Sequence, residues 1–117
     1  MPMPEFHELV NEAKKQIQEI GTDDLKKMQS SGEDFTLIDV REKEDAEKGT
    51  IPGATNVPRG MLEHNIDQVT TDKDRKIVLY CGGGSRSALA AASLKRMGFK
   101  NVISLAGGYR GWKKSGI

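Results

Sequence analysis

The sequence predicts an α/β fold: a mainly parallel central sheet flanked by helices on both faces. Short apolar runs with β-branched residues, Phe35–Val40, Ile77–Tyr80 and Val102–Leu105, have the character of buried strands. An Ala/Leu/Lys/Arg run from Ser87 to Met97 has helical composition and spacing. Strands alternating with helices imply parallel pairing with both faces covered.

The elements follow in order. Phe6, Leu9, Val10, Ala13 and Ile17 recur at helical spacing, so the first segment is an amphipathic helix, broken at Ile20-Gly21. Thr22 then caps a short helix whose first turn carries Asp23 and Asp24, where carboxylates suit the helix dipole. Ser30-Ser31-Gly32 ends it. After the Phe35–Val40 strand, the polar run Arg41–Lys48 forms a loop with a helical turn, and Ile51-Pro52-Gly53 marks a turn. Ala54–Val57 is a short strand closed by Pro58, and Met61–Asp67 a short helix. In the Ser87–Met97 helix, Ala90, Ala91, Leu94 and Met97 share the face that packs on the sheet, and Gly98 stops it. Gly107-Gly108 turns the chain into a final helical stretch, Tyr109–Lys114.

Length and composition bound the function. A chain of 117 residues fits one domain with its own core. The formal net charge of +1 offers no general attraction to nucleic acid or to a membrane surface, and no apolar run reaches spanning length. The opening Met1-Pro2-Met3-Pro4-Glu5 lacks a basic region and an apolar region, so no signal peptide is expected. One cysteine forbids an internal disulfide and any multi-cysteine metal site; no metal or cofactor is expected. A free thiol meant to react points to a reducing compartment, the cytoplasm.

That cysteine, Cys81, stands where the Ile77–Tyr80 strand runs into Gly82-Gly83-Gly84-Ser85-Arg86. A lone cysteine is commonly just a small buried hydrophobe. Three consecutive glycines argue against that here. They cost backbone entropy on ordering, so something approaches the backbone closely or demands unusual dihedrals. With Ser85 as the N-cap of the next helix, the loop gathers backbone N–H groups at a helix N-terminus. An anion there, whether thiolate, persulfide or oxyanion, is stabilised by geometry, and the thiol ionises more easily than a free one. The glycines fit neither a Walker loop, since no Gly-Lys-Ser/Thr follows, nor a dinucleotide fingerprint. In parallel sheets sites form at the C-terminal ends of strands, where both Cys81 and Asp39 lie.

Four ordered pieces resemble the single-domain rhodanese family of thiosulfate sulfurtransferases: LIDVRE (Leu37–Glu42), GTIPGATNVP (Gly49–Pro58), IVLYCGGGSRSALAA (Ile77–Ala91) and VISLAGGYRGW (Val102–Trp112). The resemblance implies a five-stranded rhodanese-like domain over 20–117, preceded by an N-terminal amphipathic helix, 1–19, packed on it. It implies that Cys81 carries a persulfide between half-reactions and that Cys81–Arg86 is the active-site loop. The implied partners are a small-molecule sulfur donor and a thiol or cyanide acceptor, with a protein donor or acceptor as an alternative. Two departures stand out. Thr50 occupies a position where the family often has His. Gly82 and Gly83 follow the cysteine where many sulfurtransferases place a basic or bulky residue, which predicts an open, less cationic pocket.

The candidate site is therefore Cys81 as nucleophile, with Gly82, Gly83, Gly84, Ser85 and Arg86 around the transferred sulfur and Asp39, Arg41 and Arg59 nearby. Arg86 either recruits an anion or is a solvated first-turn residue. Asp39 caps a turn and orients Arg41 or the loop; the functional alternative is that Arg41 attracts an anionic donor. Arg59 either lines the pocket mouth or is a surface arginine. Three functions compete: a turnover sulfurtransferase, a sulfur-carrier or protein-binding module, and a phosphatase or arsenate reductase. Only four residues separate Cys81 from Arg86, where the cysteine phosphatases have five, so the shorter loop suits a single sulfur better than a tetrahedral oxyanion.

Overall fold

In the computed structural model, which describes residues 2–116, helix α1 (Pro4–Gln16) leads into strand β1 (Gln18–Ile20) and helix α2 (Thr22–Ser30). Strand β2 (Thr36–Asp39), helix α3 (Lys43–Glu47), strand β3 (Thr55–Asn56) and helix α4 (Leu62–Asn65) follow, with a 3-10 turn on either side of α4. Strand β4 (Ile77–Tyr80), helix α5 (Ser85–Arg96), strand β5 (Val102–Leu105) and helix α6 (Gly108–Lys114) complete the chain. The five strands form one sheet in the order β1-β5-β4-β2-β3, parallel throughout.

The sheet is buried on both faces, which is why β4 is a continuous buried run and β5 is apolar apart from Ser104, rather than alternating. Successive side chains still point to opposite faces. Ile77, Leu79 and Cys81 join the cluster beneath α4 and α5, with Leu62, Ile66, Ala91 and Leu94. Val78 and Tyr80 join the opposite cluster, with Leu25 and Met28 of α2 and Ile103 and Leu105 of β5. Helix α5 is pressed between the sheet and α1, and Ala88 and Ala92 meet Ala13 of α1. Small side chains on both sides of α5 are what let two layers close on it.

Several boundaries differ from expectation. The strand that completes the sheet is Gln18–Ile20, where the pattern showed only a helix break. Gln18 and Glu19 are exposed, so this strand has no apolar signature; pairing with Ile103–Leu105 makes it a strand. Helix α1 accordingly ends at Gln16, and Ile17 turns extended and packs on the α5-side core. Val10 and Ala13 face inward, whereas Leu9 is 62% exposed. At α2 the cap is Gly21, whose N–H donates to Asp24 Oδ2 at 3.2 Å; Thr22 is already helical. At α5 the cap is Gly84, and Ser85 is the first helical residue.

One buried polar network ties the C-terminal ends of β2 and β4 to the loop before β3. Asp39 is fully buried, and its carboxylate accepts from Arg41 N at 2.9 Å, from Arg41 Nε and Nη2, and from the Tyr80 hydroxyl at 2.9 Å. Arg41 Nη2 also donates to Gly49 O at 2.6 Å, and Tyr80 Oη accepts from Ile51 N at 3.0 Å. The Arg41 guanidinium lies 4.1 Å over the Tyr109 ring. Asp39 holds the Arg41 pKa above the ordinary guanidinium value, while burial of the Tyr80 hydroxyl, followed by the Asp39 charge, pushes that phenol well up. Removing one partner of such a pair leaves an uncompensated buried charge. Asp39→Ala should therefore lower folding stability by about 3–5 kcal/mol, measurable by urea unfolding. A loss under about 1 kcal/mol, the value of an exposed pair, would show the network to be peripheral.

Candidate active site

The site begins with a strand that has nowhere to continue. After Tyr80 the chain leaves the sheet, and four residues later α5 starts. Gly84 makes that turn possible: its φ is +104°, and a Cβ there would collide with the Ala106 carbonyl oxygen. The other wall is the first turn of α6. Tyr109 N donates to Cys81 O at 2.8 Å and Arg110 N to Gly82 O at 3.1 Å, so the loop is braced by the segment after β5.

Cys81 is 1% exposed and unpaired in any disulfide. Its sulfur accepts from Gly84 N at 3.1 Å and Ser87 N at 3.4 Å, and Ser87 Oγ lies 3.6 Å away. Ser87 Oγ in turn is 2.8 Å from Ser104 Oγ, and both serines are fully buried. Burial pushes the Cys81 pKa up; the Ser87 hydroxyl and the amides of Ser87, Gly84 and Gly83 together outweigh it, so the thiol ionises below its ordinary range. With the thiol neutral, its S–H donates to Ser87 Oγ; once ionised, the sulfur accepts the Ser87 proton while Ser104 supplies one to Ser87 Oγ. Among the described residues, the hydrogen-bond partners of the sulfur are the Gly84 and Ser87 amides and the Ser87 hydroxyl, none of them a cation.

The remaining candidates scatter. Asp39 and Arg41 are buried in the network described above, with the guanidinium committed to Asp39, Gly49 and Tyr109 rather than to a ligand. Through Tyr109 they brace the loop from behind. Arg59 bonds Glu63 at 2.7 Å and lines a cleft of about 300 Å³ between α1 and α5 with Glu12 and Arg96, not the Cys81 loop. Arg86 is exposed on the first turn of α5. Gly82 and Gly83 are not in left-handed backbone, and what lies over them is the Arg110 guanidinium. The expectation of a less cationic loop is thus corrected: a cation from α6 lies against it, while Gly83 itself stays exposed.

Ser87, Ser104, Tyr109 and Arg110 were not foreseen in the sequence. Ser104, a polar residue inside the buried run Val102–Leu105, carried a signal, since a buried hydroxyl needs a partner. Arg110 carried none; only the glycines opposite it hinted that something approaches.

A buried, amide-held cysteine thus stands at the C-terminal end of a parallel strand. The chain belongs to the rhodanese-like family, whose model, described as a rhodanese-like domain, matches residues 21–115. It is 32% identical over 101 residues to a protein named sulfurtransferase from Allochromatium vinosum, covering 86% of this chain and 92% of that one. It is 36% identical over 96 residues to "Putative sulfur carrier protein YrkF" of Bacillus subtilis, covering 82% of this chain but only 51% of that protein, so it spans about half of YrkF. Among solved structures it superposes on a Rhodopseudomonas palustris protein described as "Protein of Unknown Function RPA3614, Possible Tyrosine Phosphatase". That match has a TM-score of 0.89 and 35% identity, over 99% of this chain and 96% of that one. The human single-domain sulfurtransferase TSTD1 matches with a TM-score of 0.75 and 27% identity, over 84% and 96% of the two chains.

The amide cradle makes a direct prediction. The rate of Cys81 alkylation by iodoacetamide against pH should inflect below the free-thiol value of about 8.5. An inflection at or above that value would mean that burial, not the loop donors, dominates.

Proposed function

We propose that this protein is a sulfurtransferase that accepts sulfane sulfur on Cys81 and passes it to a nucleophilic acceptor, with thiosulfate as a competent donor. The observation that carries it is the Cys81 sulfur itself: buried, ionisable, and held by main-chain donors. In the first half-reaction the Cys81 thiolate attacks the outer sulfur of thiosulfate. A new S–S bond forms, the old S–S bond breaks, and sulfite leaves with the electron pair. The Cys81 persulfide carries its charge on the outer sulfur, and the loop's main-chain N–H groups stabilise it as an oxyanion hole does for oxygen. In the second half-reaction cyanide or a thiolate attacks the outer sulfur, producing thiocyanate or a new persulfide and regenerating the Cys81 thiolate. A working free thiol places the protein in a reducing compartment, the cytoplasm.

The relative named as a sulfur carrier supports a second version, in which donor and acceptor are proteins and small-molecule turnover is slow. The phosphatase wording attached to RPA3614 finds less support in this loop. Four residues separate Cys81 from Arg86, and the amides of Gly84 and Ser87 already converge on the cysteine sulfur.

The deciding experiment is intact mass after incubation with thiosulfate. The protein should gain one sulfur atom, removable by cyanide, and Cys81→Ser should gain none while keeping its fold. A loaded Cys81→Ser protein would overturn the assignment. Steady turnover with thiosulfate and cyanide selects the enzyme over the carrier; a single loading event without turnover selects the carrier.

Arg86 is tested separately. Arg86→Ala should raise KM for thiosulfate more than it lowers kcat, because an exposed cation recruits the dianion equally in ground and transition states. The difference should shrink at high salt. Unchanged constants would make Arg86 a solvated helix residue.

A further inference from the structure

We propose that Arg110 is the anion-recognition residue of the Cys81 site, holding the charged end of a small anionic sulfur donor at the mouth of the loop. Three observations converge. First, the backbone does not require glycine at 82 or 83, since neither lies in the left-handed region. Second, the space their side chains would fill is taken by one group. A Cβ on Gly82 would stand 3.2 Å from Arg110 Nη1, and one on Gly83 would run into Nη2 of the same guanidinium. Third, the guanidinium is anchored but not consumed. The Arg110 N–H is bonded to Gly82 O, which fixes the point from which the side chain extends. The residue is exposed, and among the described residues no carboxylate lies within ion-pair distance of it.

The contrast with Arg41 sharpens the point. That arginine is buried, and its charge is answered by Asp39. Arg110 brings a full positive charge to the rim of a loop whose centre is built to carry negative sulfur. A planar fork of donors suits a sulfonate or a carboxylate. With thiosulfate, the oxygens that become sulfite face Arg110 while the outer sulfur faces Cys81. When the S–S bond to the sulfonate sulfur breaks, the leaving sulfite departs past the guanidinium with the electron pair. The donor half of the proposal rests on the sulfur-transfer reading above; the anion site itself does not.

The test separates the two. Cys81 alkylation is measured with iodoacetate and with iodoacetamide, which differ by one negative charge. Arg110→Gln should lower the iodoacetate-to-iodoacetamide rate ratio about threefold at low salt, the size of one nearby charge in a watery setting, and Arg110→Lys should keep most of it. Gly83→Ala should lower the ratio by pushing the guanidinium aside, yet add nothing in the Arg110→Gln background. An unchanged ratio in Arg110→Gln, or equal and additive effects of the two substitutions, overturns the anion site. Thiosulfate loading supplies the second arm. Arg110→Gln should raise KM at least about fivefold with kcat changed less than about twofold. A lowered ratio with an unchanged thiosulfate KM overturns the donor assignment and retains the anion site. A lowered ratio in Arg110→Gln, together with a wild-type protein that thiosulfate does not load, overturns the sulfur-transfer reading and retains the anion site.

Discussion

The Asp39 carboxylate is the interaction on which the active end of the sheet depends. A buried carboxylate is tolerated only with a full set of donors. Asp39 has them, from the Arg41 backbone, the Arg41 guanidinium and Tyr80. The guanidinium so held reaches the Gly49 carbonyl and lies over the Tyr109 ring. Tyr109 N then bonds Cys81 O. A charge at the end of β2 is thereby linked through one cation, one ring and one amide to the backbone of the cysteine loop. Among the described residues no buried side-chain polar atom lacks a partner, so the network is closed as well as connected.

The same logic separates the two kinds of arginine around the site. Arg41 and Arg59 have acidic partners and act within the structure. Arg86 and Arg110 are exposed at the loop without such partners among the described residues. Of the first pair, Arg41 lies behind the loop; of the second, it is the Arg110 guanidinium that lies against the loop glycines.

The architecture was legible in the sequence wherever local pattern and tertiary role coincide. The apolar runs at 36–39, 77–80 and 102–105 are strands because both their faces are buried, and burial is what an apolar run reports. Gln18–Ile20 escaped because pairing with β5 makes it a strand, and pairing leaves no mark on Gln18 and Glu19. At the site, Cys81 and its glycines were legible because a triple glycine is costly without cause. The causes themselves were not. For Gly84 the cause is a left-handed φ beneath the Ala106 carbonyl; for Gly82 and Gly83 it is a side chain more than twenty residues further along. Ser87 sits six positions from Cys81 and meets it across the loop, and Ser104, twenty-three positions away, reaches the Ser87 hydroxyl from β5, the strand paired beside β4.

Every amide that touches the Cys81 sulfur belongs to the main chain. Main-chain groups are supplied by any residue that can take up the local conformation, whatever its side chain. Outside the left-handed Gly84, the positions at the rim are therefore free to change identity without dismantling the part that holds the sulfur. Size, charge and shape at 82, 83, 85, 86 and 110 become adjustable settings on a fixed instrument. Substituting them changes what surrounds the approach to Cys81, while the main-chain donors on its sulfur stay the same.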